Sequence, residues 1–104
     1  MMQPPTSGAT RPPTAPRFPL GQLVATPGAL AALAAAGTTP LPHLARHAAG
    51  DWGDCDPEDR HANDWALAVG ERLSSVYALP DGTRVWIITE WDRSLTTVLL
   101  PEDY

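Results

Sequence analysis

The sequence predicts an α+β fold, with two or three short N-terminal helices packed on a three-stranded antiparallel β-meander. Three observations carry this expectation. Helix-opening pairs stand at Thr26-Pro27 and Asp56-Pro57, and apolar residues recur at helical spacing between residues 62 and 69. From Leu73 onward β-branched and aromatic residues dominate and are interrupted by a Pro-Asp-Gly turn.

Residues 1–17 hold five prolines among Thr, Ser and Gly, with nothing aliphatic larger than Met. Such a composition buries too little to offset ordering, so a disordered Pro-rich tail is expected, followed by one α+β domain over 18–104. Phe18, Leu20, Leu23 and Val24 form a short apolar lead-in, extended or turned. Thr26 then suits a helix N-cap with Pro27 at the first helical position, and the alanine-rich run ends before Gly37. A second helix is expected over residues 41–48, with Leu41, Leu44 and Ala48 on one face and Gly50 closing it.

Asp56-Pro57-Glu58-Asp59 is the strongest local signal: an N-cap acid, a proline at the first position, and two acids where the helix dipole favours them. In the helix from Pro57, Ala62, Trp65, Ala66 and Val69 form an apolar stripe ending at Gly70, with Trp65 expected as a core anchor. Beyond it, Leu79-Pro80-Asp81-Gly82-Thr83 specifies a tight hairpin that sets Tyr77 opposite Val85 and Val76 opposite Trp86. A second reversal near Asp92-Arg93-Ser94 returns residues 95–100, and Pro101 ends the strand.

That register places Leu73, Tyr77, Val85, Ile87 and Leu99 on one face and Val76, Trp86, Ile88, Val98 and Leu100 on the other. Three short helices cover one face only. The other is expected to be capped by the lead-in or buried by another chain, including a second copy in a homodimer.

Composition excludes several functions. The 104 residues suit one domain, and no stretch approaches the ~18 consecutive apolar residues of a membrane span. A proline-rich start without an apolar leader core points to the cytoplasm. Cys55, the only cysteine, excludes an internal disulfide and any multi-cysteine zinc site. All seven basic residues are arginine, and a net charge of −5 repels phosphate backbones, so direct nucleic-acid binding is disfavoured. Residues 51–64 carry six acids against Arg60, a balance equal to the whole net charge of −5.

Gly50-Asp51-Trp52-Gly53-Asp54 pairs an aromatic with carboxylates between glycines free to take positive φ. It reads either as a recognition loop or as a plug, with Trp52 filling the gap between the second and third helices. Asp51 stands clear of both neighbouring caps, so its replacement is expected to leave stability nearly unchanged. His43 and His47 lie one helical turn apart, the spacing of helix-borne zinc pairs, with Asp51, Asp54, Cys55 and His61 nearby to complete a set. Solvated or hydrogen-bonded histidines explain the same spacing. No nucleophile elbow and no phosphate-cradling glycine loop occurs, so a non-enzymatic role without a cofactor is expected. Trp86 near Arg84 and Arg93 has the composition of an interface hot spot, and strand packing is its structural alternative.

The stretches FPLGQLVATPGALAAL, HLARHAAGDWGD and RLSSVYALPDGTRVWIITEWDRSLTTVLLPEDY resemble a family of small bacterial proteins found on plasmids and other mobile elements, often labelled plasmid-related. The resemblance covers residues 18–104. Members also carry the label of a type I restriction modification subunit, which implies a cofactor-binding glycine loop and an Asn-Pro-Pro-aromatic motif; neither occurs in this sequence. The resemblance implies a genomic setting in which accessory proteins antagonise or regulate host defence or plasmid maintenance, and it assigns no catalytic residue.

The expected function is therefore a non-enzymatic protein-binding accessory factor, anti-defence or regulatory, whose partner is a host protein. Asp51, Trp52, Asp54, Glu58, Asp59, Trp86 and Ile88 are the expected partner-binding residues. The alternative is a metal-binding protein or metal-dependent enzyme using His43, His47, Asp51 and Cys55.

Overall fold

Every helix among the described residues begins on a proline, whose fixed φ suits the first turn and whose missing N–H costs nothing there. The computed structural model describes residues 15–104. Residues 1–14 of the expected tail lie outside them, whereas Arg17 is docked, its N–H donating to the Ala48 carbonyl at 2.7 Å. Helix α1 spans Pro27–Ala35, with the Thr26 hydroxyl capping the Ala29 N–H at 3.1 Å. Helix α2 spans Pro40–Ala48 and buries Leu44, His47 and Ala48. Leu41, expected on the buried face, is 69% exposed. Helix α3 spans Pro57–Val69, capped by the Asp56 carboxylate on the Asp59 N–H at 2.9 Å and ended by Gly70.

The protein is α+β, but its sheet has four strands rather than three. Strands β2 (Leu73–Ala78), β3 (Arg84–Thr89) and β4 (Leu95–Leu99) form the expected meander. The lead-in supplies β1 (Gln22–Ala25), parallel to β4, giving the order β1-β4-β3-β2. Gly21 makes this possible: at φ +68° it lies against the Ser94 backbone so closely that a Cβ would overlap it.

The first hairpin follows the turn chemistry, with Tyr77 opposite Val85 and Val76 opposite Trp86. The second corrects the expected faces. Glu90 N donates to Leu95 O at 3.0 Å, so the reversal spans residues 91–94, and Trp86 pairs with Leu99 while Ile87 pairs with Val98. One residue more in the turn moves every β4 side chain to the opposite face, so Val98 and Thr96 join the core while Leu99 joins Trp86 and Ile88. Arg93, the one described non-glycine residue at positive φ (60°), holds that turn. Its guanidinium donates to the carbonyls of Ala66 (3.1 Å), Glu71 (2.5 Å) and Glu90 (3.2 Å), tying the turn to the end of α3.

The helices cover the sheet face that carries Leu73, Tyr77, Val85, Ile87 and Val98. A smaller cluster joins Phe18, Trp52, Ala66 and Leu73. Trp65 is no core anchor: it is 61% exposed, and α3 instead turns Asn63 and Ala66 inward. The physical reason is the β2 edge. Asn63 donates to Ser74 O at 2.8 Å and accepts from Ser74 N at 3.1 Å, so its amide satisfies main-chain groups that an apolar residue would leave unpaired. The lead-in lies beside β4 and does not cap the outer face. Part of that face is covered by the C-terminal turn Pro101–Asp103 and Tyr104, whose ring packs edge-on to Trp86 at 5.5 Å.

Candidate functional site

The loop after α2 closes the β2 edge of the sheet. Val76 N donates to Trp52 O (3.1 Å), Asp54 N to Val76 O (2.7 Å), and the Asp54 carboxylate accepts from Ala78 N (3.2 Å). Gly53, at φ +78°, forms a single parallel bridge with Val76, and a Cβ there would strike the Val76 carbonyl and the Tyr77 ring. Trp52 is 2% exposed, stacks on Phe18 at 6.2 Å and donates its indole N–H to Asp64 at 3.0 Å.

Asp51 also works inside the fold. Its carboxylate accepts from Arg46 Nε (2.7 Å) and Gly53 N (3.1 Å), and its carbonyl accepts from the Tyr77 hydroxyl. The hydrogen bond from Arg46 holds the Asp51 carboxyl below its usual range. Of the clustered acids, Asp51, Asp54, Asp56 and Asp64 thus have structural partners, whereas the exposed Glu58 and Asp59 make no side-chain hydrogen bond or ion pair among the described residues.

The two histidines of α2 go to different surroundings. His47 is fully buried, with Nδ1 at 2.6 Å from Ser75 Oγ and Nε2 at 2.8 Å from Thr89 Oγ1. Thr89 continues to Thr96 (2.7 Å), and Thr96 donates to the Leu20 carbonyl (2.7 Å). Burial pushes the His47 pKa down to about 4. His43 lies against the Tyr77 ring at 5.5 Å with both ring nitrogens unpartnered, and burial lowers its pKa too. Cys55 is half-buried, and burial pushes its thiol up. Among the described residues no three His, Cys, Asp or Glu side chains converge to hold a metal, so His43, His47, Asp51 and Cys55 are not assembled into a donor set. Ser75 and His47 have the separation of a nucleophile and its base, but both are fully buried.

What the fold does assemble is a cleft of about 350 Å³ on the outer sheet face. Val76, Trp86 and Ile88 supply apolar surface, Cys55 comes from the loop before α3 and Asp59 from its first turn, and Arg72, Ser74 and Tyr104 add polar groups. Arg72 donates to the Tyr104 hydroxyl (3.0 Å) and pairs with Glu90 (3.3 Å). An apolar floor with a few convergent polar groups is the usual make-up of a binding site. Asp59, Trp86 and Ile88, expected as partner-binding residues, meet here, Glu58 adjoins Asp59 on the first turn of α3, and Asp51, Trp52 and Asp54 belong to the sheet edge instead. Arg72 and Tyr104 were not anticipated; the available signal was an arginine at a strand start near an aromatic-rich strand.

Among the described residues no helix is long and apolar enough to cross a membrane. No family model, curated protein or solved structure matches the chain.

Proposed function

We propose that this chain is a non-enzymatic protein-binding module, an accessory factor of a mobile element that antagonises or regulates a host defence protein in the cytoplasm. The observation that carries the reading is the outer-face cleft, where Trp86 and Ile88 lie beside Asp59, an acid with no side-chain partner among the described residues. A half-buried tryptophan in a concavity is the kind of residue that anchors interfaces. Acids left free beside it complement a basic surface, such as the nucleic-acid groove of a nuclease or repressor, and speed the encounter. The chain's net charge of −5 favours such a protein surface over nucleic acid itself.

The test uses the full chain and its Trp86→Ala and Asp59→Arg variants as bait in an extract of the native host, followed by titration calorimetry with the purified partner. Trp86→Ala is expected to weaken binding about tenfold or more. Asp59→Arg is expected to slow association and flatten its salt dependence. A partner that binds the wild type and both folded variants equally would place recognition elsewhere.

A further inference from the structure

The two edges of the sheet are treated differently. The β2 edge is closed by residues 52–54 and by the Asn63 amide. The β1 edge is open among the described residues. Gln22 N and Thr26 N donate to the Ser94 and Val98 carbonyls, both at 2.9 Å, so this set of alternate residues faces β4. In a parallel pair the intervening residues point the other way, and the main-chain groups of Leu23 and Ala25 therefore face outward. Although β1 is only four residues long, it lacks two of the usual guards of an edge strand, a charged side chain and a proline.

Beside this edge lies an apolar groove of about 220 Å³, formed by Leu23, Val24, Pro40, Leu41 and Leu44 with neighbouring strand residues. Leu23, Val24 and Leu41 are 49%, 38% and 69% exposed. Neither β1 nor the groove carries a charged residue. The acid-rich segment 51–64 adjoins β2, at the other side of the sheet. For a chain of net charge −5, a strand with no charge of its own lets a second copy approach with little like-charge repulsion, Asp103, which accepts from the Thr26 hydroxyl at 2.6 Å, standing just past its end.

We propose that β1 is the interface of a homodimer, in which two copies pair antiparallel about Val24 and fuse their sheets into one. The strand is self-complementary in that register. Leu23 of each copy exchanges both main-chain hydrogen bonds with Ala25 of the other, and the two Val24 residues stand opposite each other across the two-fold axis. Leu23 and Leu41 of both copies then cover the exposed ends of the grooves. The interface leaves the outer-face cleft free, so dimerisation and partner binding fail independently.

Sedimentation velocity at several hundred micromolar tests the proposal on the full chain. The wild type is expected at twice the monomer mass. Val24→Lys and Val24→Glu, each placing like charges face to face, are expected to be monomeric, while their equimolar mixture dimerises. Hydrogen exchange gives a measurement that needs no variant: protection of the Leu23 and Ala25 amides is expected to rise with protein concentration. A wild type that stays monomeric with concentration-independent exchange at these amides overturns the proposal. So do charge variants that dimerise like the wild type, or a mixture that stays monomeric.

Discussion

His47 links a single side chain to the pH stability of the whole domain. Its imidazole is fully buried between Ser75 and Thr89, and this burial, which disfavours the charged form, lowers its pKa from 6.5 to about 4. Between those values the unfolded chain binds a proton that the native state refuses. Stability therefore rises with pH across this window, is complete above about 6.5, and is lost progressively on acidification toward 4. A shift of this size corresponds to about 3 kcal/mol. Urea midpoints at pH 4.5 and pH 7 should show the loss, and His47→Gln should flatten the slope to the smaller contribution of His43, which has the same sign. Asp51 makes a second residue-scale prediction. Its bond to Gly53 N supports the turn that closes the β2 edge, whereas its pair with Arg46 is about half exposed and contributes little. Asp51→Ala is expected to cost about 1 kcal/mol, comparable to the loss of the Asp56 N-cap, in denaturant titrations of the two variants. This revises the expectation that Asp51 is dispensable to the fold.

At the scale of elements, α3 shows how a polar contact sets which side of a helix is buried. The stripe of Ala62, Trp65, Ala66 and Val69 argued for Trp65 inward, yet Asn63 takes the inward position by replacing a strand partner at Ser74. Trp65→Ala is accordingly expected to change stability by less than about 0.5 kcal/mol. Trp52→Ala, at a 2% exposed position in the smaller core cluster, should cost about 3–5 kcal/mol. Asn63→Ala should cost about 2 kcal/mol, because the Ser74 N–H and C=O lose their partner beside a sheet edge. Thermal denaturation of the three variants checks the ranking; a Trp65 variant as unstable as the Trp52 variant would contradict the observed face of α3.

At the scale of the whole molecule, the helices cover one sheet face, the C-terminal Tyr104 covers part of the other, and the sheet has one closed and one open edge. The proposed functions divide along these surfaces: recognition at the outer-face cleft, self-association at β1. Much of this plan was legible in the sequence wherever the chemistry is local. The caps at Thr26 and Asp56, the prolines that open α1 and α3, and the turn at residues 80–82 are each satisfied within a few residues, so the sequence by itself determined α1, α3 and the first hairpin of an α+β fold. Strand period likewise put Trp86 and Ile88 on one face. Only the tertiary structure decided that Asn63 faces β2, because the value of its amide depends on unpaired groups eleven residues away. Only it decided the face of β4, because a turn longer by one residue swaps the faces of the strand and Arg93 holds that turn through the Ala66 carbonyl on α3 and the carbonyls of Glu71 and Glu90. The acids were visible as a cluster, but which of them remain free follows from three-dimensional partners: Arg46 and Gly53 for Asp51, Trp52 for Asp64, and the β2 main chain for Asp54. Hydrogen bonds between distant segments have no sequence period, and the tertiary structure alone decides them.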